Sequence, residues 1–143
     1  MATIPFHELT VYKVAEERSD LIWDIVNGWS NMAKDTVGKQ VIRSADSIGA
    51  NIAEGNGRGT PDDNRRFVRM ARGSLNETRH WLRRAFTRKL LTESQSASLK
   101  PLVDRLGPLV GGLLRSIEKT RSTKPRGPGS KDPKNDSRFT IHD

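Results

Sequence analysis

Apolar side chains recur along residues 1–119 at spacings of three and four, and nowhere alternate at the spacing of two that marks a half-buried strand. Four helical segments follow from that rhythm. The first runs from about Phe6 to Asn27, with Val11, Ala15, Ile22, Ile25, Val26 and Trp29 on one side. The second runs from about Asp35 to Glu54 through Val37, Val41, Ala45, Ile48 and Ile52. The third has a defined start: Thr60 as N-cap, Pro61 as first helical residue, and Asp62 and Asp63 at the positive end of the helix dipole. It continues to about Lys89, roughly 43 Å at 1.5 Å per residue, with Phe67, Ala71, Ser74, Thr78, Trp81, Leu82 and Ala85 expected on its core side. The fourth starts at Thr92, where Thr92-Glu93-Ser94-Gln95 fits a capping box. It runs to about Lys119 through Leu99, Leu102, Val103, Leu106, Val110, Leu113 and Ile117, and Pro108 among its glycines is expected to kink or split it. The fold class is all-α.

From Thr120 the composition turns to Pro, Gly, Ser and charge, so residues 1–119 are expected to form a helical bundle and 120–143 a disordered basic tail. Arg138-Phe139-Thr140-Ile141 stands out there as either a short docking motif or ordinary tail. The net charge is +8, and it is unevenly placed: residues 1–54 carry −3, whereas residues 55–90 carry +7 from 10 basic and 3 acidic side chains. Such localisation points to a polyanion more than to solubility.

The absence of cysteine excludes a disulfide framework, a cysteine metal site and a cysteine nucleophile, and it suits a reducing, cytoplasmic setting. No apolar run is long enough to span a bilayer, and MATIPFHELT has no secretory-signal pattern. His7, His80 and His142 have no metal-ligand spacing. No nucleophile elbow or metal motif supports an enzyme, and no cofactor is expected. Gly55-Asn56-Gly57-Arg58-Gly59 precedes a helix N-terminus but follows a helix and lacks the Lys-Ser/Thr of a P-loop. It reads as a structural reversal in which Gly55 closes the second helix with a positive φ. Arg58 either pairs with Glu54 or offers its charge to a ligand.

The main signal is a stripe on the third helix. At 100° per residue Arg65, Arg69, Arg72, Arg79 and Arg83 fall within an arc of about 80° and some 27 Å of helix, nearly opposite the expected core side, with Arg66 and Arg84 on its flank. Three readings compete: phosphate binding by a bidentate, weakly hydrated donor, ion pairing between subunits, and a solvated face. Glu16, Glu17, Asp20 and Asp24 of the first helix could also neutralise the stripe. On that first helix Leu9, Tyr12 and Trp23 form a second apolar strip away from the core, which reads as a subunit contact or as cover for a loop.

A further pattern runs through Phe6, Leu9, Val11 and Tyr12, then Arg43, Ala45, Ser47, Ile48, Asn51, Ile52, Ala53, Glu54, Gly55, Gly57 and Arg58, then Phe67, Ala71, Gly73, Ser74 and Glu77. It resembles the small proteins encoded by intervening sequences in bacterial 23S ribosomal RNA genes, a family related to the accessory variability determinant of diversity-generating retroelements. The resemblance covers about residues 5–118. It implies an up-down-up-down four-helix bundle, a ring-like homopentamer, no catalytic activity, and, in the retroelement branch, work beside a reverse transcriptase and its template RNA. Residue pattern and resemblance together lead to the expectation of a basic, non-enzymatic oligomer that binds RNA or another nucleic acid. The rival expectation is a structural or protein-binding oligomer with no nucleic-acid ligand.

Overall fold

A computed structural model describes residues 4–123. Among them every regular element is helical: a 3-10 turn at Phe6–Glu8, then α1 (Thr10–Asn27), α2 (Asn31–Ala33), a π-helical turn at Lys34–Gly38, α3 (Lys39–Asn56), α4 (Pro61–Thr87) and α5 (Glu93–Thr123). The α2 turn, the π turn and α3 follow one another without a break, so four helical rods result. Around the bundle α1 packs on α3, α3 on α4, α4 on α5 and α5 on α1, leaving α1 diagonal to α4. The short links make neighbours antiparallel. Asn56 at the end of α3 donates through Nδ2 to the Ile4 carbonyl ahead of α1 (2.9 Å).

Several boundaries are as the residue pattern predicts. The Thr60 hydroxyl accepts from the Asp63 N–H (3.2 Å), which caps α4 ahead of Pro61. The capping box closes reciprocally: the Gln95 N–H donates to Thr92 Oγ1 (3.0 Å) and the Thr92 N–H to Gln95 Oε1 (2.9 Å).

Others differ. The first helix begins at Thr10, because Leu9 is extended (φ −68°, ψ 130°) and separates it from the 3-10 turn. The second rod begins at Asn31 instead of Asp35, capped by the Ser30 hydroxyl, which accepts from the Ala33 N–H. Pro108 does not split α5, which runs through both Pro101 and Pro108 to Thr123. Residues 120–123, expected in the tail, therefore continue the helix, while 124–143 lie outside the described residues.

The Gly55 expectation is overturned. Gly55 is buried within α3 without a positive φ, and the helix closes at Gly57 (φ −82°). Its reason is close approach: a Cβ there would stand 2.8 Å from Asn64 Oδ1 and 2.9 Å from Phe67 Cβ. Among the described residues the left-handed one is Lys89 (φ 61°), in the α4–α5 turn.

Two apolar clusters fill the bundle. One gathers Val11, Val14 and Ala15 with Ile48, Ile52, Val68, Leu75, Leu106 and Val110. The other gathers Ile22, Ile25 and Val26 with Val41, Ala45 and Leu99, flanked by Trp29, Trp81 and Leu82. Between them lies a polar layer: Arg18, Ser44 and Thr78 are the buried polar side chains among the described residues. The Ser44 and Thr78 hydroxyls meet at 3.0 Å and each also reaches a carbonyl of its own helix, Val41 and Ser74.

A candidate anion-binding seam between helices α4 and α5

Helix α4 packs on two neighbours, so its buried arc is wider than one line of side chains. Val68, Ala71, Leu75, Thr78 and Ala85 are its buried residues, while Phe67, Ser74, Trp81 and Leu82 are half-buried. The buried centre is thereby displaced toward the arginine stripe. The expected placement opposite the core is corrected accordingly: the stripe lies along the α4–α5 seam, at the edge of the core.

The seven arginines expected at a nucleic-acid surface divide. Arg65 is paired with Glu118 of α5 and only 17% of its side chain is exposed. One residue pair further on, Asp62 meets Arg121 (2.6 Å). Arg69 and Arg72 are half-buried and engaged. Arg66 is exposed, 3.9 Å from Asp63 and stacked over the Phe67 ring at 4.9 Å. Arg79 is half-buried, donates to Asn76 Oδ1 (3.2 Å), and lies so close to α5 that a Cβ on Gly107 would stand 2.9 Å from its Nη2. Arg84 is half-buried, whereas Arg83 is exposed.

The carboxylate that meets the stripe at one end is Glu118 of α5. Arg88 and Lys89, both exposed just beyond α4, extend the positive charge of the other end. Their place in a turn rather than on the stripe hid them from a helical-periodicity reading.

In the reversal between α3 and α4, Arg58 does pair with Glu54 (2.9 Å) and also stacks on Phe67 (4.9 Å). Gly57 forms the cap, and Asn51 is half-buried in α3. The second apolar strip of α1 is divided as well. Leu9 and Tyr12 pack against the first core cluster, and the Tyr12 ring meets Phe6 edge-on at 5.0 Å; Trp23 alone of the three is open, 54% exposed. The 3-10 turn covers the strip, as a loop would.

The residue that periodicity should have singled out is Arg18. It stands three residues after Ala15 and four before Ile22, on the core side of α1. It is fully buried, and none of Nε, Nη1 and Nη2 has a hydrogen-bond partner. Burial pushes its pKa down to about 10, and the positive charge of Arg79 pushes the same way.

Beyond the arginines, the described residues hold no group of three or more His, Cys, Asp or Glu placed to bind a metal ion, and no helix among them is long and apolar enough to cross a membrane.

The chain is similar to a crystal structure of a protein with unknown function from the S23 ribosomal protein family of Bacteroides thetaiotaomicron VPI-5482. The TM-score is 0.65 and the identity 23%, covering 73% of this chain and 98% of that one, a likeness that shows the fold. No curated protein matches. Residues 7–112, from the 3-10 turn to beyond the middle of α5, match the family described as 23S rRNA-intervening sequence protein. That span holds the capped reversal, the whole of α4 and the polar layer, and the chain belongs to the 23S rRNA-intervening sequence protein family.

Proposed function

We propose that this protein is a non-enzymatic, homo-oligomeric helical scaffold that binds RNA through the positive half of α4 and the turn after it. The observation that carries the reading is the charge imbalance there. Arg79, Arg83, Arg84, Arg88 and Lys89 follow one another with Glu77 as the only carboxylate in residues 75–90, and Glu77 is already met by Arg43 (3.3 Å). Arg83, Arg88 and Lys89 are exposed, so their charge is available to phosphates on a strand lying across this end of the bundle. Contacts of this kind position a backbone and carry no sequence information.

Self-association is supported by apolar side chains left open on a small bundle: Met32 is 81% exposed and Trp23 54%. The pentameric number, and service beside a reverse transcriptase, are narrower forms of the proposal that rest on the sequence resemblance alone.

The test is the salt dependence of binding to a generic single-stranded RNA, with light scattering on the same preparation. Three to five phosphate contacts per protomer correspond to a slope of log K against log salt of about −2 to −3.5. A flat slope overturns the RNA reading and leaves a protein-binding oligomer. A particle of one chain's mass overturns the oligomer.

A further inference from the structure

Between the C-terminal half of α4 and the first half of α5 lies a pocket of about 720 Å³. That is within the usual size range of small-molecule sites. Leu82, Leu91, Leu99 and Val103 line it, with Phe86, 61% exposed, at its edge. Three cations stand on the same walls: Arg79, Arg83 and Lys100. The one carboxylate there, Asp104, is held by Lys100 at 2.9 Å. An apolar cavity walled by two arginines without a carboxylate of their own has the character of a site for a ligand that is apolar along its body and anionic at its head.

The polar layer adds a second, independent observation. Arg18 is buried in the core on α1, and the positive charge of Arg79 acts on it. Its guanidinium is fully buried and unpartnered. An ionised group in that position carries a desolvation penalty that only an acceptor can offset. The described residues supply none, while Arg79, on the pocket wall, lies against α5 at Gly107, where no side chain intervenes.

We propose that the α4–α5 pocket binds an organic anion with an aliphatic body, the head bound by Arg79 with Arg18 behind it as the second cation, and the body along Leu82, Leu99 and Val103. The site shares Arg79 and Arg83 with the proposed RNA surface but takes a different ligand class, and Arg18, being fully buried, is closed to any polymer.

Octanoate, octan-1-ol and inorganic phosphate are the probes, titrated calorimetrically into the full chain. Octanoate is expected to bind at least tenfold tighter than either of the others, since the alcohol lacks the charge and phosphate lacks the body. Arg18→Met and Arg79→Gln are each expected to weaken octanoate about tenfold, and Val103→Asp to weaken it at least as much by setting a carboxylate beside the aliphatic body. Methyl NMR of the unmutated chain removes dependence on any variant's folding: octanoate should shift Leu82, Leu99 and Val103 and leave Val11 and Ile52 in place. Equal binding of octanol, equal binding of phosphate, an unchanged affinity in Arg18→Met, or shifts spread through both core clusters would each overturn the proposal.

Discussion

The two ends of the α4–α5 seam are built from the same residue type and behave differently. At the end where α4 begins, Arg65 is closed by Glu118 and Asp62 by Arg121, and Gly55 of α3 lets the third helix press against Asn64 and Phe67. At the end where α4 finishes, Arg79 and Arg83 border an open pocket whose only carboxylate is already taken, and Arg88 and Lys89 continue the charge beyond the helix. An arginine's availability is thus decided by what the facing helix offers it. Glu118 stands opposite one end of the stripe and Gly107 opposite the other.

The sharpest way to break this contrast is to wedge open the closed end. Gly55→Val puts three carbons where even one would meet Asn64 and Phe67, so it is expected to cost about 3 kcal/mol in denaturant unfolding. A loss below half of that would mean that α3 and α4 are not tightly apposed there.

Arg18, at the level where the seam passes from closed to open, should respond in the opposite sense. Arg18→Met replaces an unpartnered buried charge with an apolar chain of similar length and is expected to stabilise the protein by about 2 kcal/mol. The gain has a defined pH dependence. The native arginine loses its proton near pH 10 and the unfolded one at a higher pH, so the penalty is complete below pH 10. It should shrink as the pH rises between the two values, and unfolding curves at pH 8 and pH 10.5 check the sign.

Smaller effects separate the two ends directly. Arg65→Gln removes one of the two arginines at Glu118, Arg121 (3.9 Å) being the other, and is expected to cost about 1 kcal/mol while leaving the salt slope of RNA binding unchanged. Arg83→Gln, on an exposed site, should shift stability by less than about 0.5 kcal/mol and reduce the magnitude of the slope by about 0.7. Reversal of these two outcomes would place the RNA surface at the closed end.

How much of this was legible beforehand depends on the range of the interaction. The N-cap at Thr60 and the capping box at Thr92 involve groups three residues apart, and a linear chain displays them directly. Gly55 was singled out correctly but for the wrong cause: a turn and a close approach select the same residue, and only the position of Asn64 and Phe67 tells them apart. The stripe was read with the right members and the wrong surroundings, because a helical wheel gives bearings relative to one core line and α4 has two packing partners. Leu9 and Tyr12 looked open for a related reason, since the 3-10 turn that carries Phe6 over Tyr12 does not follow the helical period.

The sequence by itself determined that the chain is helical, where three of its helix starts or reversals fall, and that positive charge gathers between residues 55 and 90. These depend on local backbone chemistry and on composition, which need no knowledge of the neighbours. Only the tertiary structure decided which arginines are spent on carboxylates, that Arg18 is sealed inside without an acceptor, and that a cavity opens beside Arg79. Each of those depends on which side chain a second helix places opposite, and a helix's own period carries no record of its partner's register.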